Sequence, residues 1–157
     1  MVMKEKIHEK YAWIIFVVLG ILVLATAPLH ALGYNTDPGL VKSIVGMTPD
    51  DLKDSNPLSY ALYSFYFQSG GMSDIFWAFL LIVISVTAYR RGEKWAWYAF
   101  WIVPAWYLGY AALSLTLESS EARSVLLPPV IGFLILSLVG LLLPFRKFFP
   151  RKANPQG

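Results

Sequence analysis

Three ionisable side chains stand inside or at the rims of long apolar stretches: His30, Asp74 and Glu118. A carboxylate and an imidazole so placed are what acid–base chemistry, or the anchoring of a polar headgroup, would need. An Asp at the centre of a membrane helix costs about 2.5–3.5 kcal/mol, so such groups turn to a partner or to the protein interior. Tyrosines recur beside them at helical spacing. Steps of three or four residues put Ser59, Tyr63, Tyr66, Gly70, Asp74 and Trp77 on one face. Tyr107, Tyr110, Ser114 and Glu118 share another, and Thr26 and His30 are four apart, with Tyr34 one turn on. These stripes predict an aromatic-lined polar pocket between three helices. His30, Asp74 and Glu118 are its ionisable members, and Tyr63, Tyr66, Tyr107 and Tyr110 its hydrogen-bond donors.

A plainer reading competes with it. Ser73 and Asp74 would cap a helix that restarts after Gly70 and Gly71. Glu118 would lie solvated in a loop, and His30 would bond a backbone carbonyl freed by Pro28.

Other chemistries find no support in the chain. It has no cysteine, which removes disulfides, thiolate metal sites and cysteine nucleophiles. Its two histidines, His8 and His30, are predicted on opposite sides of a membrane, so no metal site is expected. Phosphate-cradling glycine loops and serine-nucleophile motifs are missing from the sequence. No catalytic residue set and no cofactor is called for.

The elements that must position these residues are legible from composition. Of 157 residues, 57% are hydrophobic and only 15% charged, with a mean hydropathy of +0.54; soluble domains carry about a quarter charged residues. Apolar stretches run over about 12–33, 69–89, 95–117 and 125–145. Each is near the roughly 20 residues needed to cross a hydrocarbon core of about 30 Å. The second extends back to Pro57 as helix, so it either projects from the membrane or bends at Gly70–Gly71. Small residues at Ala105, Gly109 and Ala112 offer a close-packing seam, read as internal to the bundle. Ala25-Thr26-Ala27 has the look of a leader cleavage site, but Pro28 in the next position argues for an uncleaved helix.

Basic residues set the expected orientation. Ten of the 13 lie before the first stretch, in the 90–94 turn, or after the fourth stretch. By the positive-inside rule both termini are cytoplasmic. In the connection between the first two stretches, Leu40, Val41, Ile44 and Val45 share a face suited to an interfacial helix. Thr48 before Pro49, and Asn56 before Pro57, are helix-start signals.

The 90–94 turn reads as a membrane-interface anchor: Arg90, Arg91 and Lys94 for phosphates, Trp95 and Trp97 for headgroup depth, with Tyr89 and Trp101 beside them. Gly92 supplies the turn. The same residues do not call for nucleic acid, because lipid headgroups account for them. The segment Arg91-Gly92-Glu93-Lys94-Trp95-Ala96-Trp97, with "GMTPDDLKDSNP" before the second stretch, resembles uncharacterised four-span integral membrane proteins of bacteria and archaea. That resemblance implies a topology and a prokaryotic plasma membrane, and no activity.

The expected fold is therefore all-α: an antiparallel four-transmembrane-helix bundle, residues 1–157 forming one integral membrane domain, with short helices in the connection between helices one and two. The expected function is non-catalytic. The outer half would bind a lipid-like ligand (isoprenoid, quinone or sterol-like) or a partner subunit. Alternatives are an acid–base enzyme acting on such a lipid, and a structural subunit of a larger membrane complex. Membrane lipids, another membrane protein or a second copy of the chain are the partners expected.

Overall fold

The computed structural model describes residues 7–34, 38–117 and 119–150; Glu118 lies outside them. A short helix, α1 (Ile7–Tyr11), leads into α2 (Trp13–Ala31). The connection holds α3 (Pro38–Val45) and α4 (Pro49–Ser55), and α5 runs from Pro57 to Ile84. After a π-helical turn at Ser85–Tyr89 and the 90–93 corner come α6 (Lys94–Ala99) and α7 (Ile102–Leu115). Then follow α8 (Ser120–Leu142) and the single turn α9 (Phe145–Phe148). Four helical stretches are long and apolar enough to cross a membrane: Glu9–Ala31, Pro57–Tyr89, Lys94–Leu115 and Ser120–Leu142. The chain is a small four-span, all-α membrane protein.

Local chemistry explains the boundaries. Thr48 and Asp51 form a reciprocal capping box that opens α4, and the Asn56 side chain accepts the Ser59 amide at 3.1 Å to open the second span. Gly92 closes the corner after the second span with a φ of 79°, a backbone angle that favours glycine. The third span breaks at Phe100–Trp101, between α6 and α7. Pro104 lies four residues beyond Phe100 and has no N–H to give its carbonyl.

The spans associate as two antiparallel pairs. The α2 and α5 helices pack along their lengths, and so do α7 and α8. Gly20 of α2 admits the Ala78 carbonyl and the Ile82 side chain: a Cβ at Gly20 would stand 3.0 Å from the one and 2.6 Å from the other. In the other pair the Tyr107 and Phe133 rings stack 5.3 Å apart.

The pairs are joined at the end that carries residues 7 and 150. There Phe16, Tyr89, Phe100 and Phe148 form one aromatic cluster, with centroids 4.4 Å apart for Phe16–Phe100 and 4.7 Å for Tyr89–Phe148. The Tyr89 hydroxyl donates to the Gly140 carbonyl at 2.7 Å, and the Trp97 indole N–H to the Leu141 carbonyl at 2.9 Å. Gly140 is four residues before Pro144, which cannot supply the helical N–H. Tyr89 therefore satisfies a carbonyl that α8 leaves open, as the apolar surroundings require. At the opposite end α3 packs on α8 and α4 on α5.

Three expectations need correction. No helix restarts after Gly70–Gly71; α5 is continuous through it. Ala105, Gly109 and Ala112 do not form an internal seam, for Ala105, Gly109 and Ala112 are exposed and a Cβ on Gly109 would meet nothing within 4 Å. Tyr89 and Trp97, expected as anchors toward the headgroups, are turned into the bundle, 2% and 8% exposed. Their polar tips are used on backbone carbonyls instead. Large apolar side chains such as Leu22, Phe76, Phe79, Leu113 and Ile135 line the outside, where lipid is their solvent.

Candidate functional site: a lateral cleft at Asp74

Between the two helix pairs, α5 and α7 barely touch. The gap is a cleft of about 280 Å³ lined by Ser73, Asp74 and Trp77 from α5 and by Ile102 and Trp106 from α7. Small-molecule sites start at roughly 300 Å³, so the cleft suits a head and first ring more than a whole lipid. It opens on the side of the bundle, where a membrane-dissolved molecule would enter.

The helix that carries Asp74 decides its character. Asp74 lies in the interior of α5, more than four turns after Pro57, so it caps nothing. Ser73 donates to the Ser69 carbonyl at 2.9 Å, as a serine within a helix does. Tyr89, at the far end of the span, is about 22 Å away at 1.5 Å per residue. The carboxyl group therefore stands well inside the second span, and a charged group within an apolar span needs company.

That company comes from both neighbouring helices. Asp74 is within electrostatic reach of His30 on α2 and of Tyr107 on α7. His30 is held by the close approach of α2 to α5: the backbone of residues 30–31 lies directly on Gly71, and the imidazole packs on Phe67 with centroids 4.9 Å apart. Tyr107 is fixed by its stack on Phe133.

The remaining sequence candidates scatter. Tyr63 stacks on Phe67 at 5.7 Å and so stands one ring away from His30. Tyr66 points outward, 68% exposed, against Phe65 alone among the described rings. Tyr110 is 42% exposed. His30 and Tyr107 are thus each within electrostatic reach of Asp74, Tyr63 stands one ring beyond His30, and Tyr66 and Tyr110 are on the outside. At the other end Arg90 sits over the Trp13 ring at 5.3 Å, the Trp95 indole donates to Glu93 at 2.6 Å, and Lys94 lies over Phe149 at 5.6 Å. Arg91 is exposed.

Ile102 and Trp106 were not among the sequence candidates. A signal for them exists: they are four apart and so share a face. Neither side chain is ionisable, so nothing singles the two out from ordinary lipid-facing positions. Two indoles, Trp77 and Trp106, supply the aromatic walls that tyrosines were expected to supply.

Chemically, the cleft offers acceptors. The Ser73 proton is committed to Ser69, which leaves its oxygen to accept beside the carboxyl oxygens of Asp74. No family model, curated protein or solved structure matches the chain, so no family is identified. The functional reading rests on this geometry.

Proposed function

We propose that this four-span protein is a non-catalytic binder of a lipid-like amphiphile, which enters the Asp74 cleft from the side. The observation that carries the reading is a carboxyl group inside a continuous membrane helix, opening onto a cleft walled by Trp77 and Trp106. An apolar ligand alone would not require that carboxyl group, and burying it unpartnered would be costly. Because Ser73 and Asp74 present acceptors, the preferred head is a hydrogen-bond donor. Among isoprenoid, quinone and sterol-like molecules, this selects the hydroxyl-bearing forms: an isoprenol, a quinol or a sterol.

The acid–base enzyme is the weaker alternative, since among the described ionisable candidates only Asp74 lines the cleft. In the proposed topology the end bearing the 90–94 turn is cytoplasmic, following the distribution of basic residues. Protease cleavage of a C-terminal tag in right-side-out vesicles would contradict it.

The test is a thermal-stability panel on the purified protein. Isoprenol, quinol and sterol are compared with hydrocarbons of matched length. Stabilisation by a hydroxyl-bearing amphiphile, lost in Asp74→Asn and Trp106→Ala, is the expected result. Equal response to alcohol and hydrocarbon, or an unchanged response in both variants, contradicts the reading.

A further inference from the structure

A second cavity, of about 200 Å³, lies at the end that bears residues 7 and 150, lined by Lys10, Tyr11, Trp13, Arg90 and Lys147. It is independent of the Asp74 cleft. Its cations come from three places in the chain: the N-terminal helix α1, the corner after the second span, and the turn α9. Only tertiary folding brings them together. Among the described residues no carboxylate lines the cavity, and like charges at close quarters repel.

Each cation is also oriented. Lys147 donates to the Arg90 carbonyl at 2.9 Å, and its stem lies on Gly92, where a Cβ would come within 3.3 Å of Lys147 Cε. The Arg90 guanidinium is over the Trp13 ring at 5.3 Å, and the Lys10 ammonium is 5.4 Å from the centre of the Tyr11 ring. Stacking uses the face of a guanidinium and leaves its N–H edge for bidentate bonding, which matches phosphate oxygens. Tyr11 adds a phenolic O–H. A basic pocket with aromatic walls at the membrane boundary is the arrangement that takes an anionic headgroup.

We infer that Lys10, Arg90 and Lys147 form a specific site for a phosphate group, that of an anionic phospholipid head or of a soluble phosphate ester. Arg90 supplies the planar, two-bond contact. Lys10 and Lys147 supply charge from either side.

The test is native mass spectrometry of the delipidated full chain, titrated with phosphatidylglycerol and with phosphatidylcholine of the same acyl chains. The wild type is expected to prefer phosphatidylglycerol. Lys10→Gln should weaken that preference by about fivefold, the worth of one cation near an anionic surface, and Arg90→Lys, which keeps the charge and removes the planar two-bond edge, should weaken it as well. Arg91→Gln and Lys94→Gln remove charges from the same corner that do not line the cavity, and should leave the preference in place. Inorganic phosphate separates the sources. Displacement of the lipid by millimolar phosphate marks a site for soluble phosphate, and persistence of the lipid marks a headgroup site.

Equal losses in Lys10→Gln, Arg91→Gln and Lys94→Gln, with none in the charge-conserving Arg90→Lys, would overturn the inference in favour of diffuse charge attraction. So would equal binding of the two lipids by the wild type. Should Arg90→Lys fail to fold, Lys10→Gln, whose side chain is exposed, still decides the matter.

Discussion

Gly71 of the second span lies directly against His30 of the first, so that a Cβ on Gly71 would stand 2.8 Å from the His30 Cβ and collide with the Ala31 amide nitrogen. The glycine thereby lets the two backbones meet and keeps His30 within electrostatic reach of Asp74, which lies one turn further along the same helix. Gly71→Ala is expected to destabilise the protein by about 1–3 kcal/mol, as overpacking does. Gly70→Ala is its control: a Cβ there would meet nothing within 4 Å. That change should be neutral or stabilising by up to about 1 kcal/mol through helix propensity. Unfolding of the two variants in mixed micelles checks the difference, and equal stability would refute the close approach.

The carbonyls of Gly140 and Leu141 are covered by Tyr89 and Trp97. Tyr89→Phe keeps the ring in the aromatic cluster and removes only the hydroxyl. It should cost about 0.5–1.5 kcal/mol, the worth of one hydrogen bond. Trp97→Ala loses packing as well and should cost about 3–5 kcal/mol. Lys147 and Phe148 follow in α9, so limited proteolysis near residue 147 should rise with Trp97→Ala. An unchanged digestion pattern would argue against that anchoring.

In the 48–55 segment the Thr48 hydroxyl donates to Asp51 at 2.6 Å, and the Thr48 amide also reaches that carboxylate at 3.2 Å. The hydroxyl bond, and then the amide bond, holds the Asp51 carboxyl below its usual value of 3.8. The folded-state value is depressed, so the capping contribution is present above 3.8 and is lost as pH falls through the lower folded value. Amide exchange at Thr48 should therefore be slow at neutral pH and faster, relative to intrinsic rates, in that acidic window. Asp51→Asn should abolish the pH dependence. An unchanged pH dependence in that variant would locate the titrating group elsewhere.

The spans were legible because apolar length is written directly in the sequence, and the capping signals at Thr48 and Asn56 are local. The corner at Gly92 was readable for the same reason. What periodicity could not give is the side of each helix that meets a neighbour. Every span is apolar nearly all round, so no polar face points outward to define an inward one. Hence Trp97 reads like Trp95, although one donates to Leu141 within the bundle and the other, itself exposed, to Glu93. Asp74, with His30 and Tyr107 in electrostatic reach, stood out in the sequence by polarity. The cleft walls did not, because Trp106 is chemically indistinguishable in sequence from a lipid-facing tryptophan. Gly71 read as a possible bend, since a contact with another span leaves no local signature.

The central claim is that the Asp74 cleft holds an amphiphile, and native mass spectrometry of protein gently extracted from its own membrane tests it most directly. The account predicts a co-released small molecule of a few hundred daltons that carries a hydroxyl group, retained by the wild type and lost in both Asp74→Asn and Trp106→Ala. A bare chain, or a ligand retained equally by both variants, would contradict it.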